Sequence, residues 1–205
     1  MIALEEGIVW GADVVMLQEP VVEKEGYYIS HPGYRLVRGG RTMTAIRRDT
    51  HLGFSEVEMG EEGDVPVFNV EYPAERKMRL LNVYDQLRQV EGVRSQGRPA
   101  QTVRWSEIMG ARKILLGGDW NAHNDRWDPQ CPSGRDKVFL TNLMDTYGLT
   151  DVTDGEATHI TNRNGVVSTS LIDFFIINHE LVNGLEISTD LTTTSDHAVV
   201  RTQLR

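Results

Sequence analysis

The stretch Ile114–Asp128, ILLGGDWNAHNDRWD, constrains this chain more than any other. Its apolar start runs into Gly117-Gly118 and then into Asp119, Trp120, Asn121, Ala122 and His123. An apolar run that stops at glycines and polar residues reads as a buried strand ending at the lip of a sheet. In α/β folds ligands gather at the carboxyl ends of strands, so chemistry is expected at that lip. Residues two apart on a strand face the same side, which would aim the Asp119 carboxylate and the Asn121 amide at one volume. The pair suits a hard cation and a phosphoryl oxygen. It equally suits a turn in which Asp and Asn cap the chain.

With 205 residues the chain is long enough for one sizeable core. At 40% hydrophobic and 25% charged residues it reads as an ordinary soluble globular protein. No apolar run approaches the ~20 residues that a membrane-spanning helix needs. The acidic start MIALEEGIVW is unlike a basic-headed secretion signal. A single cysteine, Cys131, excludes an internal disulfide and a multi-cysteine zinc site, and suits a reducing compartment. The net charge of −9 works against non-specific polyanion binding. A divalent ion among carboxylates would reverse that sign locally. Arg35, Arg38, Arg41, Arg47 and Arg48 form one basic group, and Arg94, Arg98 and Arg104 another. Each residue in them is either a phosphate contact or part of a solvated face.

Residues 1–12 read as a short helix with Leu4, Ile8 and Ala12 on one face. Asp13–Glu19 is a strand-length apolar run closed by Pro20, which puts Glu19 at its carboxyl end as a ligand or a solvated cap. Strands are expected at Tyr34–Val37, Thr42–Arg47, Val65–Val70 and Met78–Tyr84, with a solvated turn over Glu56–Asp64. Tyr84 at a strand end is either an amphipathic rim residue or a functional one. Gly92–Pro99 reads as a flexible basic loop, followed by a helix through Trp105 and Met109. Ser133–Asp136 resembles a capping box for a helix carrying Phe139, Leu143 and Tyr147, with Gly148 in the C′ place. Ser170–Asn178 is a buried strand with Asp173 inside it, a carboxylate that must be paired, ligated or protonated. Leu185–Asp190 is a further strand, and Thr192–Thr194 lead into Ser195-Asp196-His197 before AVV. His197 is a turn residue or, oriented by a buried Asp, half of a base–orienter pair. With no repeat or linker visible, a single domain over 1–205 is expected.

Taken in order, Leu17-Gln18-Glu19-Pro20, Tyr84, Gly118–His123, Ser170–Asp173 and Ser195–His197 resemble the endonuclease/exonuclease/phosphatase superfamily. The LQEP, GDWNAH (with Trp127 shortly after) and SLID forms look most like the endonuclease domain of non-LTR (LINE-type) retrotransposons. The resemblance implies a four-layer α/β sandwich, two packed mixed sheets flanked by helices. It implies that Glu19 ligates Mg²⁺ or Mn²⁺ with Asp196 near the same site, and that Asp119 positions or deprotonates the attacking water. Asn121 would hold a non-bridging phosphate oxygen and Tyr84 would hydrogen-bond the phosphate. His197, oriented by Asp173, would stabilise the developing charge; either it or Asp119 would act as base. Thr158, Asn162, Arg163 and Ser195 are the expected substrate contacts.

The family's first strand, with its supporting Asn, has no counterpart before Met1, so a chain truncated at the N-terminus is expected. Loss of such a partner costs roughly 10–100-fold in activity or affinity and leaves an unpaired strand edge. The implied partners are DNA and a reverse transcriptase region of the parent element, with no membrane. The implied location is intracellular, and nuclear when acting on DNA. The other readings are a non-catalytic relic of the domain and a phosphatase of the same superfamily acting on a small phosphoester.

Overall fold

The computed structural model describes residues 2–20, 30–57, 65–72, 76–86, 88–90, 93–96, 98–130, 137–191 and 195–204. The chain is of the α/β class expected, built of several sheets and few helices, and forms two compact units, Met1–Ala111 and Arg112–Arg205. Thr192–Thr194, Cys131, the Ser133–Asp136 capping box and residues 58–64 of the acidic turn lie outside the described residues.

The first unit opens with α1 (Ile2–Val9), β1 (Val14–Gln18), β2 (Tyr34–Arg38) and β3 (Thr42–Arg47). β3 is buried along almost its whole length because it is central, pairing antiparallel with β1 on one side and β2 on the other. Leu4 of α1 packs on Tyr34 and Ala45 in a core that Val15, Leu17 and Leu36 extend. The helix is shorter than its apolar pattern suggested. It stops before Ala12, and of Leu4 and Ile8 the first enters the core while the second is 44% exposed. Close approach is possible because residue 7 is glycine. A Cβ there would lie 2.7 Å from Val15 Cγ2 and 2.9 Å from the Tyr34 hydroxyl, which itself donates to Ala12 O at 3.0 Å.

β4 (Gly53–Glu56), β5 (Val67–Tyr72) and β6 (Arg76–Tyr84) follow as an antiparallel set with β5 in the middle. β6 buries Met78 and the run from Leu80 to Tyr84, so Tyr84 ends the strand as a buried residue. The stretch expected to be a loop forms part of a hairpin instead: β7 (Arg88–Val90) pairs with β8 (Val93–Gln96). The helix expected near Trp105 is two single turns, α2 (Pro99–Thr102) and α3 (Trp105–Ile108). Proline at the first position of α2 opens a new turn, because it needs no N–H donor there.

The second unit contains β9 (Ile114–Asp119), α4 (Lys137–Tyr147), β10 (Leu149–Val152), β11 (His159–Arg163), β12 (Val166–Ser170) and β13 (Asp173–Asn178). A 3₁₀ turn (His179–Gly184), β14 (Leu185–Asp190) and β15 (Val199–Leu204) complete it. β13 lies between β10 and β9, antiparallel to both, while β11–β12 and β14–β15 are hairpins. Gly148 ends α4 at φ +61°, as its position after the apolar stripe suggested. The buried stripe is Leu140, Leu143 and Met144, rotated from the expected Phe139–Leu143–Tyr147 line. The expected Ser170–Asn178 strand is interrupted: Leu171 and Ile172 separate β12 from β13, so Asp173 opens a strand rather than lying inside one. Among the described residues, no helix is long and apolar enough to cross a membrane.

Replacing Gly7 by Ala tests the α1 contact. Alanine favours helices over glycine by roughly 1 kcal/mol, but here its methyl group must push into Val15 and Tyr34. The overpacking cost of about 1–3 kcal/mol should win. Chemical denaturation should show a net loss of stability; a gain would contradict the packing described.

Candidate active site

In the second unit the antiparallel register of β9 and β13 sets Asp119 directly opposite Asp173. The glycines of the opening motif stand opposite aromatic residues, Gly118 against Phe174 and Gly117 against Phe175. Gly118 also adopts φ +148°, a backbone conformation that side-chain-bearing residues rarely take. After Asp119 the chain leaves the strand. Trp120 N donates to Ile172 O at 2.9 Å, and its fully buried indole donates to Phe174 O at 3.1 Å. Trp127 packs on Phe174 with ring centroids 5.1 Å apart, and Asp128 Oδ2 accepts from Leu171 N at 3.1 Å. The polar segment after β9 is therefore clamped to the start of β13 by buried indoles and one carboxylate.

Asn121 does not reach the site by strand alternation. It has φ +45°, and its N–H donates to Asp119 Oδ1 at 2.8 Å. The expected turn is thus present, and the Asn121 side chain, like its backbone N–H, acts to lower the Asp119 pKa. An asparagine tolerates the left-handed region better than most residues, which explains its use where the backbone must reverse.

Asp173 is paired, as a carboxylate among Ile172, Phe174 and Phe175 has to be. Its Oδ2 lies 2.9 Å from His197 Nδ1. One ligand atom from each of Asp119, Asp173 and His197 falls within 4.8 Å of the others. Burial and the facing Asp173 carboxylate push the Asp119 carboxyl up to about 7, against an ordinary 3.8. The hydrogen bond to Asp173 raises the His197 imidazole above its ordinary value, with burial opposing it.

Thr158 organises this half of the site rather than touching a substrate. It is 1% exposed, and its hydroxyl accepts the N–H groups of both Ile172 and Asp173, at 3.0 and 2.9 Å. Its N–H donates to Ser170 O, and its own carbonyl accepts from Ala198 N at 2.7 Å. The groove-contact expectation for Thr158 is therefore corrected: a residue so enclosed positions Asp173 and the 195–198 segment. Asn162 and Arg163 are exposed on the β11–β12 hairpin, where Asn162 Oδ1 accepts from Gly165 N. Ser195 is exposed as well; its Oγ accepts from His197 N at 3.1 Å and donates to Asp196 Oδ1 at 3.4 Å. His159, which no local pattern marked out, lies with its ring centroid 4.5 Å from that of His197. Burial and the neighbouring imidazole lower its basicity.

Glu19 and Tyr84 belong to the first unit, where both meet Arg41. Glu19 has φ +45°, its N–H donates to Arg41 O, and its carboxylate is ion-paired with the Arg41 guanidinium. That guanidinium also donates to Gln86 Oε1 at 2.8 Å and to the Tyr84 hydroxyl at 3.2 Å, and lies over the Tyr84 ring at 4.5 Å. The Tyr84 hydroxyl donates to Gln86 Oε1 at 2.6 Å. Gln18, just before Glu19, is anchored through Nε2 to buried Asn82 at 2.7 Å. Glu19 at a strand's end is thus held in place by backbone and neighbour alike, and the position is built to face positive charge. Glu19 and Asp196 are hard oxygen donors with side chains 53% and 67% exposed, the donor type that Mg²⁺ takes together with several waters.

Residues 104–201 match the protein-family model described as endonuclease-reverse transcriptase. Among solved structures, the endonuclease domain of TRAS1, a telomere-specific non-LTR retrotransposon, matches with a TM-score of 0.79 at 18% identity. That match covers 99% of this chain and 90% of that one. TDP2 of D. rerio, complexed with single strand DNA product, gives a TM-score of 0.53 at 14% identity over 96% and 87% of the two chains. The catalytic domain of Xenopus laevis APE2 gives 0.52 at 16% identity over 98% and 88%. No curated protein sequence matches the chain. By fold along its length and by sequence over residues 104–201, the chain resembles the endonuclease/exonuclease/phosphatase proteins, with the retrotransposon endonuclease branch matched on both counts.

Proposed function

We infer that this chain is a metal-dependent endonuclease that hydrolyses DNA phosphodiester bonds and nicks a target site for a retroelement. The observation that carries this reading is the cluster of Asp119, Asp173 and His197, in which a carboxylate tuned to about 7 stands beside an imidazole oriented by a second carboxylate. A group titrating near neutrality both accepts a proton and releases it again, as a general base requires. The family match over 104–201 supports the reaction class, and two of the similar structures are an endonuclease domain and a protein bound to a DNA product.

In this reading Asp119 takes the proton of the attacking water, and Asn121 offers its amide to a non-bridging phosphate oxygen. His197, held through Nδ1 by Asp173, places positive charge against the oxygens that gain charge as the bond breaks. Glu19 of the first unit and Asp196 of the second are each proposed as oxygen ligands for Mg²⁺ or Mn²⁺, an ion that would supply Lewis-acid charge for the phosphoryl group. Tyr84, whose hydroxyl accepts from the same Arg41 guanidinium that pairs with Glu19, is proposed to hydrogen-bond the phosphate. Asn162, Arg163 and Ser195, all exposed, are the residues proposed to touch DNA. The partner implied is a reverse transcriptase region that primes from the 3′-hydroxyl left by the nick, and the place of action is the nucleus.

Supercoiled plasmid should be relaxed in Mg²⁺ and left intact in EDTA. Asp119→Ala and His197→Ala should each slow nicking by at least about 100-fold, as loss of a transition-state contact does. Near-normal rates in either variant would remove that residue from the mechanism. Turnover of inositol phosphates with no action on plasmid would favour a phosphatase, and turnover of neither a relic.

The raised Asp119 pKa has a consequence for stability. Between its ordinary 3.8 and about 7 the folded chain keeps a proton that the unfolded chain has released. Stability therefore falls as pH rises through that window. Asp119→Asn removes the titrating group, so its melting temperature relative to the native chain should climb between pH 4 and pH 8, by at least about 3 °C. A gap independent of pH would show that Asp119 is not perturbed.

A further inference from the structure

Segments 158–160 and 196–198 run side by side. Ile160 N donates to Asp196 O, Ala198 N donates to Thr158 O, and His159 faces His197 as an isolated antiparallel bridge. The two imidazoles are therefore brought face to face by backbone pairing, not by chance rotamers. His159 Nε2 lies 3.9 Å from Asp196 Oδ2, and one ligand atom from each of His159, Asp196 and His197 falls within 4.8 Å of the others. Two imidazoles and a carboxylate suit a borderline-soft ion such as Zn²⁺, whereas Mg²⁺ demands oxygen ligands.

A second observation concerns the other ring nitrogens. His197 Nδ1 is held by Asp173 Oδ2 at 2.9 Å, and His159 Nδ1 lies 3.4 Å from Ser170 Oγ. Oxygen partners on the far nitrogen are how histidine ligands are oriented in zinc sites. In such an arrangement coordination falls to Nε2 of each ring. The side chains of His159, His197 and Asp196 are 22%, 33% and 67% exposed, so an ion can enter and a water can complete a tetrahedron. Bonds of about 2.0–2.1 Å place tetrahedral ligands about 3.3 Å apart. The gap of 3.9 Å between His159 Nε2 and Asp196 Oδ2 then has to close by about 0.6 Å, a shift open to a side chain that is 67% exposed.

We propose that His159, Asp196 and His197 form a zinc-type binding site, distinct in donor chemistry from the site for the hard cation, and that its occupation stops hydrolysis. The block arises because an ion bound there takes His197 and Asp196 out of the reaction. Binding stands on the geometry alone; the block rests on the nuclease reading.

The test is calorimetric titration of the full chain with Zn²⁺, followed by plasmid nicking in Mg²⁺ with and without Zn²⁺. One Zn²⁺ should bind per chain, and His159→Ala should weaken binding by at least about 10-fold. That variant should keep Mg²⁺-supported nicking within about 3-fold of the native rate while escaping Zn²⁺ inhibition. Asp196→Asn, whose side chain is exposed and so leaves the fold intact, should weaken Zn²⁺ binding as well. Equal Zn²⁺ affinity in native chain and both variants would overturn the site. Binding that depends on His159 without inhibition would overturn the block. Such binding in a chain that never nicks DNA would support the site and sink the nuclease reading.

Discussion

Two carboxylates directly opposite each other on neighbouring antiparallel strands repel, and the second unit is arranged around that repulsion. Asp119 faces Asp173 because of the β9–β13 register, a pairing that a sheet chosen for stability alone would avoid. The strain is relieved on one side by His197, whose Nδ1 meets Asp173, and on the other by the backbone N–H of Asn121 on Asp119. Burial first, and the facing Asp173 carboxylate second, still leave the Asp119 pKa raised. A carboxylate kept near neutrality is costly to the fold and useful to a hydrolase.

Holding the register needs more than the strands. Trp120, Trp127 and Asp128 fasten the segment after β9 to Phe174 and Leu171, and Thr158 gathers the N–H groups of Ile172 and Asp173 on one hydroxyl. These groups are buried, so each lost hydrogen bond would leave a polar atom without water, at a cost of about 1–3 kcal/mol. The reacting side chains are thus placed by residues that touch no substrate. The first unit uses a different device, a guanidinium that meets Glu19, Tyr84 and Gln86 at once.

Much of this was legible in the residues. The strand at Ile114–Asp119 announces itself by an apolar run ending in glycines, and Thr42–Arg47 by β-branched residues that suit a central strand. The pairing of Asp173 follows from the cost of an isolated charge among aromatic neighbours. Other features depend on contacts that local patterns do not encode. The alternation argument for Asn121 fails because the chain turns left-handed one residue beyond Trp120, and Thr158 reads as a surface threonine until the strand break at Leu171-Ile172 needs its hydroxyl. His159 carries no signal at all, because its neighbour His197 comes from a distant segment. Arg41 looked like one of several surface arginines, and only its cross-chain partners set it apart.

The most direct measurement is an NMR pH titration of the His197 ring protons in the native chain and in Asp173→Asn. If Asp173 holds the imidazole as the geometry shows, the native midpoint lies above the ordinary 6.5 and drops in the variant. A midpoint at the ordinary value that ignores the substitution would contradict the arrangement on which the mechanism stands.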